Sequence, residues 1–182
     1  LTDNSVKLNR DDFKIMIEVD KDNRIITISD NGIGMTGEEL ENNLGTIAKS
    51  DSLNFKNENA DNEKAQDVSV IGQFGVGFYS SFMVADRVEV VSKAFGDEQA
   101  HRWTSTGVDG YTIEECDKKD AGTVITLHIK EDTENDHFSD YLEQYKIDEL
   151  VKRYSDYIRY PIQMEMSHQV PDKDKEGKYI TK

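Results

Sequence analysis

The sequence predicts an α+β fold, a two-layer sandwich in which helices cover one face of a mixed, mostly antiparallel sheet. Strand-like alternation of apolar and polar residues occurs near residues 13–29 and again in four segments between 87 and 130. Helical patterns lie between and after these groups, so strands and helices do not alternate as they do in a doubly wound parallel fold. The length of 182 residues fits one domain.

The first elements form a hairpin that ends at an acidic residue. Residues 13–19 alternate in the manner of a strand, residues 20–23 (Asp-Lys-Asp-Asn) have turn chemistry, and residues 24–29 form the returning strand. This arrangement places Asp30 at the end of a strand.

A short helix follows. Thr36 and Glu39 have capping-box spacing, which predicts a helix that begins at about Gly37 and ends near Gly45. Residues 51–67 are mostly polar, which predicts an exposed, mobile segment.

The second half is dominated by strands. A glycine-rich stretch leads into an apolar helical segment that ends near Met83, and four strands follow. Short polar loops separate them, so they are predicted to be antiparallel neighbours. These strands cover about 87–93, 100–104, 111–115 and 123–130. An amphipathic helix is predicted at 147–160, ended by Pro161, with a last strand at 162–166.

Composition excludes several functional classes. The net charge of -15 disfavours general binding to nucleic-acid phosphates or anionic membranes. Cys116 is the single cysteine, so no internal disulfide forms, which fits a reducing cytoplasm. No apolar run approaches a membrane span, and the four histidines form no close pair with metal-ligand spacing.

The turn after the first hairpin has the chemistry of an adenine site. The Asp30 carboxylate can accept a hydrogen bond from an amino group, and Gly32 and Gly34 allow the backbone to approach a flat ring closely. Met35 can pack against that ring. Asp-Asn-Gly is also a common turn, so an ordinary loop remains open on these residues alone.

A second element has the chemistry of a phosphate site. Gly72, Gly75 and Gly77 precede a helix start, where exposed backbone N–H groups favour anions. The spacing differs from that of the P-loop and of the dinucleotide fingerprint, and a packing turn is the alternative. Lys49 is a candidate phosphate partner and Asn43 a candidate ribose or phosphate partner, although a lone surface lysine usually has no ligand.

Three segments together resemble the nucleotide site of the heat-shock protein 90 family, with its bacterial member nearest. They are Asp30-Asn31-Gly32-Ile33-Gly34-Met35, Asn43-Leu44-Gly45-Thr46-Ile47-Ala48-Lys49-Ser50 and Ile71-Gly72-Gln73-Phe74-Gly75-Val76-Gly77-Phe78-Tyr79-Ser80. The resemblance covers nearly the whole chain and implies a Bergerat-type ATP-binding fold that lacks its first helix.

The resemblance implies a role for each motif residue. Asp30 would bind the adenine amino group, with Thr123 sharing that network, while Gly34 and Met35 line the adenine pocket. Asn43 and Lys49 would contact the sugar and phosphates. Gly72, Gly75 and Gly77 would form the phosphate loop, with the Phe78 backbone N–H meeting a phosphate. A lid would span about 46–71.

The resemblance also implies a cycle for a longer protein. ATP binding would close the lid and promote N-terminal dimerisation, and hydrolysis would reset the binding of client proteins. ATP or ADP and Mg²⁺ would be the ligands, in a cytoplasmic homodimer that binds neither nucleic acid nor membrane. We expect residues 1–168 to be the ATP-binding domain, with residues 169–182 as a charged linker toward a missing middle domain that helps to hold clients.

This sequence departs from the family pattern in two ways. Asp51 stands where the family has glycine, which bears on the lid hinge. The family's catalytic Glu and Mg²⁺-binding Asn belong to a helix expected upstream of Leu1. No general base or metal ligand is therefore assigned here, and we expect residues 1–182 alone to be inactive in hydrolysis.

Two other functions stay open. The Asp-x-Gly-x-Gly element is shared with gyrase and MutL ATPases and with histidine kinases, so another ATPase of this fold is one alternative. A hydrolysis-dead interaction module is the other.

Overall fold

The computed structural model describes residues 12–45, 77–107 and 109–165. Its centre is a seven-stranded sheet with the order β5-β4-β3-β6-β2-β1-β7. The strands are β1 (Ile15–Asp20), β2 (Ile25–Asp30), β3 (Ala85–Lys93), β4 (Ala100–Ser105), β5 (Tyr111–Cys116), β6 (Gly122–Ile129) and β7 (Ile162–Met164). Only the β1–β7 pair is parallel in this sheet, which confirms the mixed, mostly antiparallel prediction.

The described helices are short. They are α1 (Gly37–Leu44), α2 (Ser81–Val84) and α3 (Gln144–Tyr154), with 3₁₀ turns at Phe78–Ser80 and Phe138–Leu142. The capping box of α1 is present: the Thr36 hydroxyl accepts from the Glu39 N–H at 3.2 Å, and the Thr36 N–H donates to the Glu39 carboxylate at 2.7 Å. Gly45 is the C-cap, as predicted.

Two apolar clusters join the helices to one face of the sheet. Leu40 and Leu44 of α1 pack in a cluster with Val88, Val90 and Trp103. A second cluster is formed by Ile17, Ile26, Ile129 and Leu142, against which Ile147 and Val151 of α3 pack. Leu127 of β6 contacts both clusters, and the strand register places these sheet residues on the same face. The predicted two-layer arrangement is thereby confirmed.

One predicted strand pairing is wrong. β3, β4 and β5 are consecutive antiparallel neighbours, but β6 does not pair with β5. Instead, β6 lies between β3 and β2. The reason lies in burial: none of the residues of β6 is exposed, whereas the polar β5 leaves four of its six residues exposed at the sheet edge.

The bounds of the last helix were also predicted incorrectly. α3 covers Gln144–Tyr154 and not 147–160. It ends at Ser155, whose N–H donates to the Val151 carbonyl, and a turn occupies the residues before Pro161. Ser155 and Asp156 favour turns and caps over helix interiors, which explains the early end. Tyr154, the last residue of α3, is 56% exposed.

The opposite face of the sheet carries charged side chains from several strands. Glu89 of β3 forms ion pairs with Arg87 and, at 3.9 Å, with Arg102 of β4, and its carboxylate lies 3.1 Å from His128 Nε2 of β6. Arg102 also pairs with Glu114 of β5 at 3.2 Å. These residues are partly to fully exposed, so this face is polar while the other is packed.

Candidate adenine nucleotide site

Asp30 ends β2 with an exposed carboxylate. Its Oδ1 accepts from the Gly32 N–H at 2.8 Å and, more weakly, from the Thr123 N–H at 3.4 Å. Within the described residues no donor bonds Oδ2, so this oxygen can accept a hydrogen bond from a ligand. The prediction that Asp30 is presented at a strand end is confirmed.

Asn31 fixes the loop that follows Asp30. Its side-chain oxygen accepts from the Lys14 N–H at 2.8 Å, and its side-chain nitrogen donates to the Asp12 carbonyl at 2.7 Å. These bonds tie the loop to the segment before β1. Asn31 therefore orients the loop, and sequence reasoning placed it only as a turn residue.

Two glycines let this loop pack directly on the ends of β3 and β6. Gly34 has a φ of +66°, and a Cβ there would lie 1.8 Å from the Lys93 carbonyl oxygen. Gly122 has a φ of +116°, and its Cβ would lie 2.3 Å from the Asp30 carbonyl oxygen. Neither position accepts a side chain without a backbone shift. At Gly34 the site is therefore lined by backbone atoms without a side chain.

A buried hydroxyl pair lies beneath the loop. Ser92 of β3 is paired in register with Thr123 of β6, and their hydroxyl oxygens are 2.9 Å apart. Ser92 also accepts from the Met35 N–H at 2.8 Å and lies 3.3 Å from the Gly122 carbonyl oxygen. The two strands and the loop therefore meet at Ser92.

Ser92 was missed by sequence reasoning. It follows Val88 and Val90 on the packed face and is completely buried, with a relative exposure of 0%. The available signal was a serine at an inward position of an otherwise apolar alternation, which requires hydrogen-bond partners.

Met35 and Asn43 line the α1 side of the site. Met35 packs against the cluster of Leu40 and Trp103. The Asn43 side-chain nitrogen lies 3.7 Å from the Met35 sulfur. These contacts place both predicted residues on one wall, next to the Ser92–Thr123 pair through the Met35 backbone.

Gly77 and Phe78 stand at the start of a 3₁₀ turn, and Phe78 packs against the cluster that contains Leu40 and Leu44 of α1. Gly77 has a φ of -59°, so its backbone does not require glycine, and a Cβ there meets nothing within 4 Å. The Phe78 ring packs edge-on against Trp103 at 5.4 Å. Its backbone N–H remains a predicted phosphate donor.

A tyrosine joins this turn to the end of α1. The Tyr79 hydroxyl donates to the Leu44 carbonyl at 2.8 Å, and burial raises the pKa of Tyr79 above its ordinary value. Lys49, Gly72, Gly75 and the predicted lid at 46–71 lie outside the described residues.

A separate depression lies between α3 and the β1–β7 edge. Five of its six lining residues are apolar: they are Ile17, Ile147, Val151, Ile162 and Met164, with Asp148 as the sixth. It lacks the convergent polar groups found near Asp30, so it is not the candidate nucleotide site.

Comparison with known proteins decides the family. The profile described as "Histidine kinase-, DNA gyrase B-, and HSP90-like ATPase" matches residues 1–137. The chain belongs to this family of ATPases.

Within these ATPases, the chain is similar to proteins named chaperone protein HtpG. It is 52% identical to that of Clostridium botulinum and 54% identical to that of Shouchella clausii, each over 179 residues. Each match covers 98% of this chain and 28% of the relative. The chain thus spans somewhat over a quarter of the length of these curated relatives.

These matches confirm the resemblance to the heat-shock protein 90 family and its bacterial member. They also confirm the predicted class of ATP-binding domain and the Bergerat-type fold that the family shares. Among the described residues there is no helix long and apolar enough to cross a membrane. The same residues contain no group of three or more His, Cys, Asp or Glu side chains suited to a metal ion.

Proposed function

We propose that this chain binds ATP and ADP through the Asp30 loop, as the nucleotide-binding domain of an ATP-dependent chaperone of the HtpG kind. The observation that carries the proposal is the Asp30 carboxylate. One oxygen is held by backbone N–H groups and the other is open, next to a glycine-only loop and a buried hydroxyl pair.

The adenine ring fits this arrangement by its hydrogen-bonding groups. Its amino group is a donor, and the open Asp30 oxygen is an acceptor of the charged kind, which forms strong hydrogen bonds. Gly34 offers backbone without a side chain, and Met35 offers a polarisable apolar surface. Thr123 supplies a hydroxyl beside the carboxylate.

The sugar and phosphates are assigned to the α1 side and the glycine-rich segment. Asn43 lies on the same wall as Met35, and its side-chain amide would bond ribose or phosphate. Lys49 would compensate phosphate charge. Gly72, Gly75, Gly77 and the Phe78 N–H would supply backbone donors, which favour anions at a helix start.

The remaining functions are proposed from the similarity of this chain to HtpG. ATP binding would close a lid at about 46–71 and bring two N-terminal domains together, and hydrolysis would reset client binding. Mg²⁺ would compensate the phosphate charge. A cytoplasmic homodimer that acts on unfolded or partly folded proteins is part of this proposal.

Isothermal titration of ADP into residues 1–182 tests the site. We expect saturable binding that Asp30→Asn weakens at least about tenfold, because the neutral amide loses a charge-assisted bond worth roughly 1.5–3 kcal/mol. Absence of heat at millimolar ADP would refute the assignment.

Asp20→Asn is the matched control. Asp20 also ends a strand and also accepts from a backbone N–H, that of Asn23 at 3.1 Å, but it lies at the other end of the hairpin. The affinity for ADP should not change in this variant. Equal weakening by both substitutions would mean that the loss comes from stability and not from adenine recognition.

Measurements on the full-length protein separate the chaperone from the interaction module. Asp30→Asn should abolish its ATPase activity and its protection of unfolded clients. If the ATPase activity and the protection of clients are both unchanged in the variant, the protein is better explained as a hydrolysis-dead interaction module than as a chaperone.

A further inference from the structure

Tyr79 donates a hydrogen bond to the end of α1. The last carbonyl groups of a helix have no partner within the helix and need one from elsewhere. In α1 the Gly45 N–H donates to the Glu41 carbonyl at 2.9 Å, and the Leu44 carbonyl accepts from the Tyr79 hydroxyl at 2.8 Å. Leu44 and Tyr79 are 35 residues apart in the chain. The bond therefore fixes the end of α1 to a distant part of the sequence.

The Tyr79 side chain is itself held in place by packing. Its ring lies edge-on to that of Phe78, with the centroids 6.0 Å apart, and its centroid is 6.4 Å from that of Phe82. Phe78 and Phe82 pack against the cluster that contains Leu44. Burial raises the pKa of Tyr79, so the hydroxyl keeps its hydrogen at neutral pH. Tyr79 is therefore a fixed donor to the Leu44 carbonyl.

The two ends of α1 are fixed in different ways. The helix has eight residues, or about two turns, and the capping box of Thr36 and Glu39 fixes its start. At its end, the Tyr79 hydroxyl bonds the backbone, whereas the Tyr111 hydroxyl lies 3.5 Å from the Glu41 side chain. The position of the last turn thus depends on Tyr79 more than on Tyr111.

Asn43 belongs to this last turn. It directly precedes Leu44, and its side-chain nitrogen lies 3.7 Å from the Met35 sulfur. When the Leu44 peptide turns, the backbone of Asn43 moves with it, and the side-chain amide changes its direction. Asp30 is held separately, by the Gly32 and Thr123 N–H groups. Tyr79 therefore bears on the Asn43 side of the site and not on the Asp30 carboxylate.

We propose that Tyr79 is a positioning residue, which holds the end of α1 where the Asn43 amide can bond the sugar–phosphate part of the nucleotide, and this rests on the proposed nucleotide site. Tyr79 does not itself touch the nucleotide. It acts through the Leu44 carbonyl, by restricting the last turn of α1 to one arrangement.

Titration calorimetry of ADP into residues 1–182 tests the role of Tyr79. Tyr79→Phe keeps the ring and removes only the hydroxyl. We expect ADP binding to weaken about three- to tenfold, the range that one neutral hydrogen bond covers. The loss should be no larger than that of Asn43→Ala, because Tyr79 acts through Asn43.

A double-mutant cycle separates positioning from a general loss of stability. In a chain that already carries Asn43→Ala, Tyr79→Phe should weaken ADP binding no further, because the amide that Tyr79 positions is absent. If Tyr79→Phe weakens ADP binding by the same factor with and without Asn43, Tyr79 does not act through Asn43, and the proposal is wrong.

Tyr111→Phe is the matched control. Tyr111 also lies at the end of α1, and its hydroxyl bonds the Glu41 side chain and not the helix backbone. Its ring stacks on that of Trp103 with the centroids 6.0 Å apart, and phenylalanine keeps this contact. The affinity for ADP should not change in this variant. A loss equal to that of Tyr79→Phe would mean that any tyrosine hydroxyl near α1 matters, and not the bond to Leu44.

Gly45→Ala moves the same turn without changing Tyr79. A Cβ at Gly45 would lie 2.5 Å from the Glu41 carbonyl oxygen and 2.6 Å from the Tyr111 hydroxyl oxygen, so the end of α1 must shift. ADP binding should weaken in this variant, and the loss should disappear in the chain with Asn43→Ala. If Tyr79→Phe does not fold, unchanged ADP binding in Gly45→Ala overturns the proposal instead.

The outcomes distinguish this proposal from the nucleotide site on which it rests. If the unsubstituted chain binds no ADP, both are wrong. If ADP binds and Asn43→Ala weakens it but Tyr79→Phe does not, only the role of Tyr79 is overturned. If Asn43→Ala leaves the affinity unchanged while Asp30→Asn lowers it, the positioning role is wrong and recognition by Asp30 stands.

Discussion

Gly34→Ala is the sharpest test of how the loop packs on the sheet. The added Cβ would lie 1.8 Å from the Lys93 carbonyl oxygen, whereas real Cβ atoms essentially never approach within 3.0 Å. The loop or the Lys93 carbonyl must therefore retreat by about 1.2 Å. Lys93 is the last β3 residue paired with β6, opposite Gly122, so the retreat opens the floor of the site.

Two costs add in this variant. Alanine in the left-handed region costs about 1–2 kcal/mol, and relief of an overpacked contact typically costs about 1–3 kcal/mol. We therefore expect the free energy of unfolding to fall by roughly 2–5 kcal/mol, and ADP binding to fall with it.

Gly96→Ala is the control that isolates the conformational cost. Gly96 has a φ of +90° and open space around its Cβ position, so this variant carries the conformational cost alone. Urea unfolding of both variants gives the difference, expected to be at least about 1 kcal/mol. Equal losses in the two variants would refute the argument that Gly34 is required by close packing.

Three further predictions each concern a single residue. Thr36→Ala should lower the free energy of unfolding by about 1 kcal/mol and Thr36→Ser by much less, because serine keeps the cap; equal urea midpoints for the two variants would contradict this. Hydrogen bonds from Ser139 lower the pKa of Asp132 from 3.8 to about 2, so this carboxylate stabilises the fold above pH 3.8 and the contribution is lost as the pH falls toward 2. Asp132→Asn should flatten the dependence of the unfolding midpoint on pH in that window, and an unchanged slope would show that the bonds contribute nothing. Burial raises the pKa of the Cys116 thiol, so alkylation by iodoacetamide at pH 8 should be slow in the folded chain and fast in urea; equal rates would count against a protected thiol.

Local elements were predictable because their signals lie within a few residues. The capping box of Thr36 and Glu39 encodes the start of α1, and its two hydrogen bonds are both present. The pairing of β6 was not predictable from loop length. β6 pairs with β3 on one side and with β2 on the other, so its position depends on the burial of all the strands in the sheet.

The arrangement around Asp30 was predictable to a similar degree. Asp30 and Gly34 lie four residues apart in one segment, so the hydrogen-bonding role of the carboxylate and the need for glycine could be inferred from that segment alone. Ser92 lies almost sixty residues further along and reaches the loop only through strand register. No local pattern connects it to Met35, so its role required the fold.

The charged face of the sheet has a consequence for how the protein behaves at high concentration. Glu89, Arg102, His128 and Glu114 come from four neighbouring strands, and each is matched by an opposite or protonatable group on another strand. If a second sheet packed on this surface, all four side chains would lose their water, and the desolvation of charged groups costs free energy. These charges disfavour a third layer on the sandwich and face-to-face stacking of sheets into fibrils, and they lie on the face of the sheet opposite the helices.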